Sequence, residues 1–428
     1  MKEIRYFQNQ PLNTRILIGT SFLYAFVLPI VEIFTAAYIM RNSADVSRVV
    51  LYQLTVYTGI PLTFLLNGYL LNKIRPAWLY TFGMFLSGVS MLIMTSLSEL
   101  NMTGIGIAGL VMGMSFGLYW ANRDYLVLVC TTDKNRNYYY GLDTFVNTVS
   151  FVVVPLCVGW FIALSTTKGW TASANASYQV VVWICIAITL ASSYVVLQGK
   201  FDKPKQERFL YFRFHPLWNK MLGMAVLKGL VQGFIVTAPA MLVMKLIGNE
   251  GALGTVQSIS AVVTAVVMYI IGRTTAPRHR LAILGVSLLL FALGAVVNSA
   301  LFNTYSVIFF LLCLIVARPL FDISYFPIQL RVIDHLSAIE KRNEFAYILH
   351  HEFGLYGGRL VGCGLFIILA WKVSDVAALK YTLPIVTILQ AFSYFLAKQI
   401  QRSLPETAET PQPEEPLSLV KEAPVGVL

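Results

Sequence analysis

Nine ionisable residues interrupt otherwise apolar stretches: Glu32, Arg123, Asp124, Asp143, Lys228, Arg318, Asp322, Glu352 and Arg359. A charge facing hydrocarbon costs at least about 2.5–3.5 kcal/mol, so each of them must face protein or water. Arg and Lys hold anions, Arg through a planar fork that grips two oxygens at once. A carboxyl group taken out of water prefers its neutral form, and a nearby Arg opposes that preference. Glu32, Asp322 and Glu352 are therefore the candidates to take up and release a proton. Spacing suggests partners. Arg318 and Asp322, in "ARPLFD", are four apart and share a helix face, and Glu352 and Arg359 are seven apart. Either arrangement reads as a local ion pair or as a cation and an acid offered to a ligand. Lys228 has an amide, Gln232, one turn away and no acid in its own segment, which favours a ligand-facing role.

These residues sit in a chain of 428 residues that is 57% hydrophobic and only 12% charged. Soluble domains carry about 25% charged residues. With a mean hydropathy of +0.67, the composition indicates an all-α membrane protein. Twelve transmembrane helices are expected, at about 15–40, 48–72, 77–97, 104–130, 138–164, 177–198, 217–245, 251–272, 280–301, 305–331, 344–371 and 380–400. Alternate loops carry the positive charge: Lys73 and Arg75; Lys134 and Arg136; Arg273, Arg278 and Arg280; Lys341 and Arg342. That asymmetry places both termini in the cytoplasm of an inner-membrane protein. The net charge of +11 follows this topology, so no nucleic-acid partner is expected. The partners are the lipid bilayer and a small molecule, and the chain is expected to be a monomer. Five cysteines lie in or beside apolar segments without a CxxC pair, so no disulfide, metal or cofactor is expected. The first apolar run lacks a small-residue cleavage site, so no cleavable signal peptide is expected.

The connection "GKFDKPKQERFLYFRFH" divides the spans into two sets of six. An N-terminal bundle (1–198), a cytoplasmic linker (199–216), a C-terminal bundle (217–402) and a Pro- and Glu-rich disordered tail (403–428) follow. The halves repeat weakly. "NRNYYYG" follows span four and "KRNEFAY" follows span ten, each 17 residues after an aromatic pair, Tyr119–Trp120 and Tyr325–Phe326. Both halves also place a basic turn after their second span. The order fits two pseudo-symmetric six-helix bundles related by an axis along the membrane normal.

"GYLLNKIRP", 68–76, resembles the loop Gly-x-x-x-Asp-Arg-x-Gly-Arg between helices two and three of the major facilitator superfamily. Asn72 replaces the usual Asp, Lys73 replaces Arg, and Arg75 stands at the second Gly. "VPLCVG" in span five is similar to the Gly-Pro-x-x-Gly-Gly signature of that family's antiporters and keeps Pro155 and Gly159. The resemblance implies alternating access, with two bundles rocking about a cavity lined by the first, fourth, seventh and tenth helices. It also implies that Asn72, Lys73 and Arg75 belong to a gating loop, without the ion pair that the missing Asp would supply.

On that frame Lys228, Arg318 and Arg359 lie at mid-membrane depth and would make a positive pocket. Arg123 and Asp124 lie nearer the cytoplasm; being adjacent, they should point in different directions. Asp143 belongs to a cytoplasmic gate, with Arg136 and Arg342 in the equivalent turns. Tyr119, Trp120 and Tyr325 read as packing or as cavity aromatics that stack on a flat cargo. Gly109, Gly113 and Gly117 recur every four residues, a close-packing stripe. His350 and His351 read as interfacial histidines. No Walker A, nucleophile-elbow or HExxH pattern occurs, so neither an ATP-driven pump nor an enzyme is expected. The expectation is a proton-coupled secondary active transporter of a small organic anion or zwitterion. The rivals are a multidrug efflux antiporter, favoured by Glu32, and a non-transporting membrane sensor.

Overall fold

The computed structural model describes residues 5 and 7–404, apart from 72, 132, 202–210, 212, 275–276 and 343. Asn72, most of the 199–216 connection and the tail beyond 404 lie outside the described residues. Among the described residues every regular element is helical. The N-terminal bundle comprises a broken first helix (α1a, Leu12–Tyr24; α1b, Thr35–Ser43), α2 (Val46–Leu70), α3 (Pro76–Ser96), α4 (Met102–Cys130), α5 (Asp133–Ser165) and α6 (Ala174–Leu197). The C-terminal bundle comprises a broken seventh helix (α7a, Pro216–Ile235; α7b, Ala238–Leu246), α8 (Glu250–Thr274), α9 (Arg280–Leu301), α10 (Thr304–Glu340), α11 (Glu344–Lys372) and α12 (Asp375–Ser403).

Eleven of the crossings are long and apolar enough to span a bilayer, α7a and α7b counting together. The twelfth is the broken first helix. The sequence suggested one continuous helix over 15–40; the structure corrects this, and proline chemistry explains why. A proline lacks an N–H and its ring clashes with the carbonyl four residues earlier. Four residues before Pro29 is Ala25, where α1a has just ended, and a π-helical turn over Ile30–Phe34 leads into α1b. Four residues before Pro239 is Ile235, the last residue of α7a. The two bundles are therefore interrupted at corresponding places, a pattern that marks sites in transporter folds. Span ten also runs further than expected, to Glu340.

Close packing depends on missing side chains. A Cβ added at Gly113 on α4 would sit 2.2 Å from the Val56 carbonyl oxygen of α2, and one at Gly358 on α11 would sit 2.0 Å from that of Val226 on α7a. Each bundle thus has a seam where helix backbones touch, and larger residues would force the helices apart. The bundles meet along two seams, α2 with α11 and α5 with α8. Exchanging each helix for its counterpart in the other bundle, α2 with α8 and α5 with α11, turns one pair into the other, as a two-fold relation between parallel repeats requires. At the second seam a Cβ at Gly159 would lie 2.4 Å from the Glu250 carbonyl oxygen and one at Gly254 2.1 Å from that of Pro155.

Candidate functional site

From the Gly159–Gly254 crossing, α5 and α8 diverge toward the membrane face that carries both termini. The wedge between the bundles is a cavity of about 950 Å³. Its wall reaches Arg123, Asp143 and Tyr269, close to the termini face. Helices α1, α4, α7 and α10 contribute, and so do α5 and α8, through Thr144, Asn147, Ser260 and Thr264. The latter pair of helices was missed from sequence, although Thr144, Asn147 and Thr148 carry the three- and four-residue spacing of a polar helix face. Both helix breaks open onto the cavity. Glu32 lies inside the π-helical turn, and Val236 and Pro239 flank the second break.

Glu32 is exposed to the cavity, and Arg318 lines the same space from α10. Neither has an ion pair among the described residues. The expected Arg318–Asp322 pair is corrected here: Asp322 Oδ1 lies 2.9 Å from Lys228 Nζ of α7a. Lys228, with no acid in its own segment, thus finds one on a neighbouring helix. Its ammonium is buried and also lies 4.3 Å and 3.9 Å from the Tyr325 and Phe326 ring centroids, within cation–π range. A shared helix face permits a four-residue pair, but it does not exclude a cation from a neighbouring helix that is better placed.

Arg359 does not join Lys228 and Arg318 in a positive pocket. Its guanidinium donates to Gln232 Oε1 from Nε at 3.1 Å and from Nη2 at 2.9 Å, and lies 3.5 Å from Glu352. It also covers the Tyr57 ring of α2 at 4.6 Å, while the Tyr57 hydroxyl donates to the Gln232 carbonyl oxygen at 2.9 Å. Arg359, Glu352 and Gln232 thus tie α7a and α11 to α2, and the Gln232 oxygen is occupied from within the protein.

Tyr119 is packed inside a ring cluster with Tyr24, Tyr80 and Trp120, and only Trp120 of these lines the cavity. Tyr325 is fully buried, its hydroxyl 2.6 Å from His351 Nε2. His351 is therefore a core residue rather than an interfacial one. Arg123 bonds Asp143 at 2.5 Å and also reaches Asp124 at 3.2 Å, because its long side chain overcomes the divergence expected of neighbours. Lys73 and Arg75 lie in the exposed α2–α3 loop. Arg136 belongs to α5 with its side chain outside the described residues. Arg342 donates to the Arg213 carbonyl oxygen at 2.5 Å and covers the Tyr211 ring at 4.6 Å, clamping the end of the connection between bundles.

The opposite membrane face is closed. Glu250, at the start of α8 and completely buried, is gripped by Arg41 of α1b through both carboxylate oxygens, Nη2 to Oε2 being 2.6 Å. Tyr178 of α6 donates to the same carboxylate at 3.2 Å. Trp371 of α11 donates to Ser47 of α2 at 3.1 Å, and Trp160 of α5 to Thr255 of α8 at 3.1 Å. Sequence reasoning missed this latch because Arg41 and Glu250 are 209 positions apart and each reads as an ordinary charge at a span end.

Two pseudo-symmetric six-helix bundles around a central cavity, closed at one membrane face, have the architecture of a multi-pass membrane transporter. The chain belongs to the Major Facilitator Superfamily, whose family model matches residues 16–344. Among curated proteins it is similar to YqgE of Bacillus subtilis (strain 168), described as uncharacterized, at 22% identity over 388 residues, 89% of this chain and 87% of the relative. Solved structures share the fold. A bacterial homologue of the iron transporter ferroportin in its inward-facing state matches with a TM-score of 0.66 at 14% identity, covering 92% of this chain and 98% of that one. The nucleoside transporter NupG matches with a TM-score of 0.63 at 12% identity, covering 91% and 99%. A bacterial metal transporter matches with a TM-score of 0.63 at 13% identity, covering 92% and 100%.

Proposed function

We propose that this transporter moves a small organic anion or zwitterion across the inner membrane by alternating access, driven by protons. The observation that carries the reading is Arg318, a cavity-facing guanidinium with no ion pair among the described residues. A cation in a low-dielectric wall with no carboxylate at contact distance attracts a negative group, and its fork suits a carboxylate. Glu32 suits the proton site for a parallel reason. Asp143, Asp322 and Glu352 each have a cation within 4.0 Å, whereas Glu32 has none among the described residues. The basic loops support a cytoplasmic side for the termini, and so for the open face. A metal cargo, such as two fold neighbours are named for, finds no group of three ligating side chains among the described residues.

The test is uptake or efflux of radiolabelled carboxylates by proteoliposomes under an imposed pH gradient. Arg318→Lys keeps the charge and loses the fork, so transport should fall about tenfold or more while melting is unchanged. Glu32→Gln should abolish gradient-driven accumulation but leave exchange of labelled for unlabelled cargo. If lipophilic cations were transported instead, and Arg318→Lys carried them normally, the multidrug antiporter reading favoured by the open Glu32 carboxylate would replace this one.

A further inference from the structure

A second chamber, of about 250 Å³, opens beside the main cavity and lies wholly within the C-terminal bundle, between α7, α9, α10 and α12. Ile235, Val236, Leu314 and Arg318 line both spaces, so they mark the passage between them. The chamber walls are largely apolar, with Phe291, Phe321 and Phe326 around Val231 and Leu288. Its charges reduce to one. Lys228 and Asp322 neutralise each other at 2.9 Å, which leaves Arg318 at the mouth. Ser287 is committed, its hydroxyl donating to the Ala317 carbonyl oxygen at 2.7 Å. Gln390 is not committed. It is only 3% exposed, it lines the chamber, and its Oε1 has no hydrogen-bond partner among the described residues. A buried amide left this way is costly until a ligand or water satisfies it.

We propose that this chamber holds the apolar body of the cargo and makes the cargo an amphipathic monocarboxylate, which rests on the reading of Arg318 as an anion site. The carboxylate sits on Arg318 at the mouth. The body, one ring or a branched chain, enters between the phenylalanines, and a polar substituent on it meets Gln390. The volume sets the size class, because it falls just below the roughly 300 Å³ at which pockets take whole drug-sized ligands. The site belongs to one bundle, so the cargo travels with the C-terminal half as the bundles rock.

Calorimetry on the purified full-length protein tests this with acetate, 3-phenylpropionate, its ring-hydroxylated isomers and 3-phenylpropan-1-ol. The phenyl acid should bind about tenfold or more tighter than acetate, as burial of a ring predicts. The alcohol should bind far more weakly than the acid. Val231→Trp fills the chamber without touching the main cavity lining, and Val231→Phe fills it less severely should the larger variant melt early. Either should bring 3-phenylpropionate down to the affinity of acetate. Gln390→Leu should remove any preference for a hydroxylated isomer while leaving 3-phenylpropionate unchanged. Should acetate and 3-phenylpropionate bind equally to the wild type, or should chamber-filling variants bind the phenyl acid normally while Arg318→Lys does not, the chamber assignment fails and the anion reading stands. If no carboxylate binds the wild-type protein, both fail.

Discussion

The two membrane faces of this protein are finished differently. All six helices that start at the closed face are capped by a short polar side chain: Asp45, Asn101, Ser173, Asn249, Asn303 and Ser374 each accept from a backbone N–H two or three residues on. At the termini face, α3 starts with Pro76 and α9 after His279, both without a side-chain cap, while α7a starts with Pro216 and is capped by a bulkier ring, His215 Nδ1 accepting from the Leu217 N–H at 3.2 Å. The ion pairs differ in the same sense. Arg41–Glu250 joins the two bundles at the closed face, whereas Arg123–Asp143 near the open face joins two helices of one bundle. A pair within a bundle survives rocking; a pair between bundles has to break. Under the proposed alternating-access cycle, the inter-bundle ion pair at the closed face has to break for that face to open.

The largest effect should come from breaking that latch. Glu250→Gln leaves Arg41 against an amide and weakens the Tyr178 contact. The loss should be about 3 kcal/mol, the low end for buried pairs because Arg41 is 35% exposed. A thiol reagent added from the closed side should then reach Leu253→Cys, a fully buried position one turn after Glu250, which it does not reach when Glu250 is intact. Unchanged labelling would remove Arg41–Glu250 as the latch.

A smaller but sharper effect separates seams between bundles from seams within them. Gly113→Ala crowds α2 and α4 of one bundle, and Gly159→Ala crowds α5 against α8 of the other. Each should cost about 1–3 kcal/mol from overpacking. Only Gly159→Ala should also raise labelling at the closed face. Equal labelling in both variants would mean that the α5–α8 crossing is not the pivot.

The smallest effect concerns the caps. Asn101→Ala should lower stability by about 1 kcal/mol. Arg75→Ala, at a helix start with no side-chain cap, should stay within about 0.5 kcal/mol. Chemical denaturation in one detergent compares the two, and equal losses would show that the caps at the closed face carry no special share of its stability.

Much of this architecture was legible in the chain. The apolar runs are long, each ends at turn residues or basic clusters, and a hydrocarbon solvent leaves a helix as the one open conformation that satisfies its own backbone. The Gly109–Gly113–Gly117 stripe was legible for a related reason, since four-residue spacing of the smallest side chain has one common use in membranes. The helix breaks were half legible. Pro29 and Pro239 are visible, but Pro61 lies inside α2 and that helix continues through it. Whether a proline breaks a helix depends on whether neighbours or water satisfy the freed carbonyls.

Partner choice was not legible. Span count, the two-fold repeat and the apolar seams follow from hydrophobicity and spacing, which are properties of segments, and the sequence alone determines them. Which cation neutralises Asp322, why Arg318 has no ion pair among the described residues, and that Glu250 closes one face are relations between helices 94 to 209 positions apart. Charge pairing falls off with distance in space and is indifferent to distance along the chain. Only the packing that sets α7a beside α10, and that brings Arg41 of α1b to the start of α8, decided those.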